Sequence, residues 1–227
     1  MNELAIFAGA GGGLLGTEPL GIQTICAIEL EWHRRCILAQ RQNEGHLRSV
    51  FPIWDDVRSF DCGAWRGRVD IVSGGFPCQA FSTAARGRNN ADNLWPEMLR
   101  VIREVDTEYV FAENVTRRAI EMAANDCAKM GYKTEMLSLS AKDLGADHER
   151  ERFWLLAYAD NKGELRSTVN AKVASLPKFC EGIWETDPNN TRVANGLAGR
   201  VERYEATGNG QVPVVAAAAL WTLANAE

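Results

Sequence analysis

Short runs of β-branched and apolar residues alternate along the chain with longer stretches whose apolar positions recur every three or four residues. The runs LAIF (residues 4–7), TICAI (24–28), VDIVSGG (69–75), YVFAENV (109–115), YKTEMLSLS (132–140) and RFWLLAYA (152–159) read as strands, and a further short one precedes Asp55. VDIVSGG, β-branched and apolar until its two glycines, has the pattern of a buried strand. Helices are predicted over residues 31–42, over 94–105, up to Met130 after the fourth long run, and over 212–226. This alternation predicts an α/β fold: a doubly wound, mostly parallel, Rossmann-like sheet with ligands at the carboxyl ends of its strands. One stretch departs from the rhythm. Residues 160–192 are polar, loop-rich and poorly periodic, so they form either a small inserted module or a long functional loop. The chain accordingly divides into a main body (1–159), an inserted segment (160–195) and a closing part (196–227) that returns to the body.

Composition narrows the classes. The chain has 227 residues, 46% hydrophobic and 24% charged, an ordinary balance for one large domain with a sizeable core. No apolar run approaches the roughly 18 residues that span a bilayer. The start, MNELAIFAGAGGG, has no basic stretch and no cleavage site, so a cytoplasmic protein without a signal peptide is expected. The cysteines at 26, 36, 62, 78, 127 and 180 contain no C-x-x-C pair, and the histidines at 33, 46 and 148 do not cluster with them. No metal site is expected, and the thiols should stay reduced. A net charge of −5 argues against non-specific coating of nucleic acid while leaving room for a local basic face.

Several features carry candidate chemistry. The glycines of FAGAGGG follow the first strand, where a backbone must turn sharply or approach a ligand closely. Glu29 closes the second strand, where a carboxylate can accept from ribose hydroxyls; Asp55 and Asp56 either receive an adenine amino group or form a solvated turn. In GGFPCQAFS, Cys78 sits after a proline at the tip of a buried strand, as a packing thiol or as a reactive one. Glu113 ends the YVFAENV strand, and neighbouring strand ends converge, so it faces the same crevice as Cys78 or is a surface acid. In HERERFWLLAYA an extended backbone points Arg150 and Arg152 to one face and Glu149 and Glu151 to the other.

In this order, FAGAGGG, Glu29, DDV, GGFPCQAFS, ENV, HERERF and GNGQVP resemble the motifs of the cytosine-C5 DNA methyltransferases, over nearly the whole chain. The resemblance implies a small bacterial- or phage-type member using S-adenosyl-L-methionine. It implies cofactor contacts at Phe7, Gly9, Ala10, Gly11 and Gly12, at Glu29 and Leu30, at Asp56 and Val57, at Pro77 and Leu94, and at Asn209 and Gly210. It makes Cys78 the nucleophile that adds to carbon 6 of cytosine, Glu113 the group at N3, and Arg150 and Arg152 the holders of the base. The base would be flipped out of the duplex, with residues 79–93, including Arg86 and Arg88, as a lid. The partner implied is duplex DNA, with no membrane and no metal, and a monomer is expected. The main body becomes the catalytic and cofactor-binding domain. Residues 160–195 become a reduced target-recognition segment with Arg166, Lys172, Lys178, Asn189, Asn190 and Arg192 as candidate contacts.

The chain also departs from the family pattern. Ala5 stands where an acid is usual, Leu30 where an aromatic often follows the ribose ligand, and Asp147-His148 where Pro-Gln is common. Family members normally carry a much larger recognition domain. Two alternatives stand beside the DNA enzyme: a tRNA cytosine-C5 methyltransferase on the same scaffold, and a non-catalytic binding protein that has kept the fold.

Overall fold

Asn2–Ile6 forms β1, an inner strand of a seven-stranded sheet. The computed structural model describes residues 1–77, 93–173 and 210–226. Along them run α1 (Gly12–Thr17), β2 (Gln23–Ile28), α2 (Trp32–Asn43), β3 (Ile53–Trp54), β4 (Ile71–Gly75), α3 (Trp95–Val105) and β5 (Tyr109–Asn114). There follow α4 (Arg117–Lys129), β6 (Lys133–Leu139), β7 (Arg152–Tyr158), α5 (Gly163–Val173) and α6 (Pro213–Asn225). The strand order is β3-β2-β1-β4-β5-β7-β6; β1 to β5 pair in parallel, and β7 runs against both β5 and β6. The doubly wound, mostly parallel sheet expected from the sequence is present, with one reversed strand.

Alternate strand residues feed opposite layers. Leu4, Ile6, Val72 and Val110 pack with Met98, Ile102 and Ile120 of α3 and α4. On the other face, Ile71, Tyr109 and Phe111 meet Leu165 of α5 and Val215 and Leu220 of α6. Ala5 and Ala27 meet Leu14 and Leu38 of α1 and α2. Burial on both faces is why these strands read as near-continuous apolar runs. Glu3 interrupts the run without breaking the layer. Its fully buried carboxylate accepts hydrogen bonds from Thr24 Oγ1 (2.7 Å), Ser73 Oγ (2.6 Å) and Thr17 Oγ1 (3.1 Å). Burial pushes this carboxyl above the usual range, and the three hydroxyls pull it part of the way back.

Residues 163–173 are not loop. They form α5, anchored by the fully buried Leu165 and Val169, four apart and therefore on one face. Two apolar anchors in eleven residues make too weak a period to read from the sequence, and tertiary packing supplies the helix.

Gly12 and Gly16 let α1 lie directly against the start of α6. A Cβ on Gly12 would stand 2.0 Å from the Gln211 carbonyl oxygen, and one on Gly16 would stand 2.4 Å from that of Pro213. The close backbone approach brings Gly210 and Gln211 to the carboxyl end of the sheet. Strand order reverses between β1 and β4, so the loops leaving these two strands diverge and open a crevice.

Candidate active site

The crevice begins with a left-handed turn. Phe7 (φ +55°) and Gly9 (φ +58°) follow β1, and a side chain held in that region costs about 1–3 kcal/mol. The turn is fixed by Ala8 N donating to the Ile28 carbonyl (3.1 Å) and Gly9 N donating to Glu29 Oε2 (2.7 Å). Nothing stands within 4 Å of where a Cβ on Gly9 would be, so the turn presents bare backbone to open space. Glu29 is 4% exposed, and its Oε1 accepts from Glu31 N (2.9 Å) with Arg34 Nη1 at 3.6 Å. Each carboxylate oxygen has two acceptor sites, so Glu29 can hold the glycine turn and still accept from a ligand hydroxyl. Beyond it, Leu30, Trp32 and Trp54 form an exposed apolar corner at the ends of β2 and β3.

The opposite wall carries the charge. Glu113 pairs in register with Gly75 across β5 and β4 and is 6% exposed. A Cβ on Gly75 would lie 2.6 Å from Glu113 Oε2, so only glycine leaves room for that oxygen. Arg152 Nε meets Glu113 Oε1 at 3.0 Å, and Gln211 Nε2 donates to Oε2 at 3.4 Å. Burial drives the Glu113 carboxyl above its ordinary range, opposed first by Arg152, then by the Gln211 amide and by Arg150. Arg150 donates to the Gly210 carbonyl and thereby ties the approach to β7 to the segment before α6. The expected alternation holds: Glu151 is drawn away by Ser138 Oγ (2.7 Å) and Glu149 by Lys142 (3.3 Å).

Asn114, next to Glu113, donates from Nδ2 to the Phe76 carbonyl (2.8 Å), while Phe76 packs on Trp95 of α3. Leu94 N donates to the Pro77 carbonyl at 3.4 Å. The backbone on both sides of residues 78–92 is thus fastened beside Glu113.

Comparison with known proteins places the chain in a family. Residues 1–209 match the C-5 cytosine-specific DNA methylase family. The chain belongs to that family. Type II methyltransferases M.Eco47II of Escherichia coli and M.NgoMIV of Neisseria gonorrhoeae are each 32% identical to it, over 68% and 69% of this chain and 38% and 51% of their own lengths. The chain therefore spans about half, or less, of these relatives. DNMT2 of Spodoptera frugiperda (15% identity, TM-score 0.57) and Dnmt2 of S. pombe (21%, 0.54) share its fold; each comparison covers 70% of this chain and 50% of theirs.

Within this chain, Phe7, Gly9, Glu113 and Gly210 line one crevice. Ala10, Gly11 and Gly12 also have neighbours within the protein. The Ala10 carbonyl accepts from Arg41, a Cβ on Gly11 would meet Leu38 at 2.9 Å, and Gly12 faces Gln211. Asp56 caps the turn Val57–Ser59 through Arg58 N (3.0 Å) and pairs with Arg58 at 2.9 Å; Val57 is buried beneath it. Arg58 and solvent share the Asp56 carboxylate. Cys78 and Asn209 lie outside the described residues, as do Lys178, Asn189, Asn190 and Arg192. Arg166 is fastened elsewhere: it donates to the Ala224 and Ala226 carbonyls at the end of α6, 3.1 and 3.0 Å away. His148 pairs with Asp147 at 3.2 Å on the surface. Of the four described cysteines, Cys26, Cys62 and Cys127 are buried, which pushes their thiols up to about 12, 11 and 12. These three are packing thiols.

Sequence reasoning did not single out two contributors. Asn114 was visible within ENV, next to an assigned acid. Gln211 was visible within GNGQVP, but nothing local to the motif shows that it reaches Glu113.

Proposed function

We propose that this chain transfers a methyl group from S-adenosylmethionine to carbon 5 of cytosine in DNA. One observation carries the reading: Glu113, buried and ion-paired with Arg152, stands at the end of β5 in the crevice, beside the fastened backbone that leads into Pro77. The crevice fits the donor, with open space at Gly9, an acceptor at Glu29 and an exposed apolar corner at Leu30 and Trp54. S-adenosylmethionine, when bound, supplies an electrophilic methyl group. Phe7, Gly9 and Glu29 would hold it, Glu29 accepting from the ribose hydroxyls.

Cytosine carbon 5 is a poor nucleophile until a second group raises its electron density. The Cys78 thiolate adds to carbon 6, forming a C–S bond and making carbon 5 enamine-like. Glu113 gives a proton or a hydrogen bond to N3, where negative charge would otherwise gather; burial, which raises its carboxyl above the ordinary range, favours that role. With the donor bound, carbon 5 would take the methyl group as the sulfonium S–CH3 bond breaks to leave a neutral thioether, and would then lose its proton to a base. β-Elimination breaks the C–S bond and returns the thiolate. Arg152 orients Glu113, and with Arg150 supplies the positive wall against which the base docks. The target carbon is unreachable in a stacked duplex, so the nucleotide must be flipped. We assign target recognition to residues after Val173, since α5 belongs to the core, and the closing part to the return of Gly210 and α6.

Transfer of labelled methyl groups tests this, with mixed-sequence duplex DNA, single-stranded DNA and tRNA in parallel. Label is expected in duplex DNA and absent with Cys78→Ser or Glu113→Gln. Wild-type turnover by Cys78→Ser would refute the covalent route, and label in tRNA alone would move the substrate to RNA.

A further inference from the structure

Both Glu113 oxygens are occupied, but unequally. Oε1 takes a charged bond from Arg152 at 3.0 Å, whereas Oε2 takes a long, neutral one from Gln211 at 3.4 Å. Oε2 is also the oxygen for which Gly75 clears space. The Gln211 side chain is confined: its Oε1 lies 2.3 Å from where a Cβ on Gly13 would stand, and its Nε2 lies 3.3 Å from the corresponding position on Gly75. Glycines on two separate elements thus make room for one carboxamide, between the turn after β1 and the acid. Gln211 lines the same crevice as Phe7, Gly9 and Glu113. A carboxamide has two N–H donors and a carbonyl acceptor, so it can serve a carboxylate with one end and a carboxylic acid with the other. No hydrocarbon side chain can do either, and an ionised acid cannot donate.

We propose that Gln211 is a positioning residue for Glu113: its amide donates to the crevice-side carboxyl oxygen while Glu113 is ionised and no base is present, and releases that oxygen to N3 as the base docks. The role as written rests on the methyltransferase reading above. Arg152 and Arg150, on the approach to β7, are the charged groups that face Glu113 among the described residues; β4 offers only Gly75, and the segment before α6 offers Gln211. The Gln211 bond favours the charged form, so its removal raises the midpoint at which Glu113 titrates.

The test follows the Glu113 carboxyl by ¹³C NMR titration, assigned with Glu113→Gln, in the wild type, Gln211→Met and Gln211→Glu. The midpoint is expected to rise in Gln211→Met and to rise further in Gln211→Glu, where a second carboxylate faces Glu113. In methyl transfer, Gln211→Met is expected to lose about tenfold or more in kcat with KM for DNA nearly unchanged. The deficit of Gln211→Glu should grow as pH rises, and Gln211→Asn should recover part of the rate. Both isosteric variants keep the backbone packing on Gly12, and thermal unfolding checks that they are folded. A folded Gln211→Met with the wild-type Glu113 midpoint and wild-type kcat would overturn the proposal. Absence of methyl transfer by the wild type would instead overturn the methyltransferase reading, and the NMR titration would still decide the coupling of Gln211 to Glu113.

Discussion

Gly16→Ala sets two known effects against each other at one position. Gly16 lies in α1 with helical backbone, so alanine should stabilise the helix by about 0.8–1.0 kcal/mol through propensity alone. The new methyl group, however, would stand 2.4 Å from the Pro213 carbonyl oxygen, 3.0 Å from Ala216 Cβ and 3.2 Å from Ala217 N. Two of these three atoms are backbone, which cannot rotate aside. Relief requires α6 to move off a surface where Val215, Ala216 and Leu220 are buried. Overpacking of this kind costs about 1–3 kcal/mol, and rigid neighbours push the value toward the upper end. Packing wins: the net loss should be about 1–2 kcal/mol, or a fall of about 2–8 °C in unfolding temperature for a chain of this size. Scanning calorimetry reads this directly. The displacement also carries Gln211 away from Glu113, so methyl transfer by the folded variant should fall as well. A rise in unfolding temperature would show that the α1–α6 contact yields freely and that the glycine is not there for close approach.

Glu3→Gln should flatten the pH dependence of stability. The Glu3 carboxyl is raised in the folded state, so the fold holds its proton more tightly than the unfolded chain does. That contribution is complete below the ordinary carboxylate range and is lost as pH climbs through the folded value. The unfolding temperature of the wild type should therefore fall relative to Glu3→Gln as pH rises, and parallel curves would refute the assignment. Arg166→Ala removes two hydrogen bonds to the end of α6 and should lower stability by about 1–2 kcal/mol in denaturant titration. Its DNA affinity should keep the wild-type salt slope; a slope reduced by about one would place Arg166 on a phosphate.

The strands were legible because burial on both faces leaves an unbroken apolar signature, and their ends were marked by the groups later found at the crevice: Phe7, Glu29, Gly75 and Glu113. Arg150 and Arg152 were legible as a pair because an extended backbone alternates. What the sequence hid was long-range. The glycines after β1 looked alike in FAGAGGG, yet Gly9 faces open space while Gly12 and Gly13 are backed by Gln211, some two hundred residues away in sequence. Ala5 marked a missing acid, but the buried carboxylate of β1 is Glu3, two residues earlier on the same face, partnered by hydroxyls from α1, β2 and β4. Arg166 was legible only as a cation, because composition cannot show that it also caps another helix.

The reversed direction of β7 governs how the remainder of the chain is moored. A parallel strand in that place would deliver its last residues to the crevice; β7 delivers its first, Arg152, and carries the chain to the opposite rim. There Lys162 grips the carbonyls of Leu223 and Ala226, and Thr168 and Lys172 of α5 rest against Gly21, just ahead of β2. The next described residue, Gly210, is back at the crevice under Arg150. The stretch from Val173 to Gly210 is thus tied at two opposite edges of the sheet and not at a single hinge. Exchanging it between relatives must match both moorings, and a graft trimmed to suit one rim would drag Gly210 and Gln211 from the other.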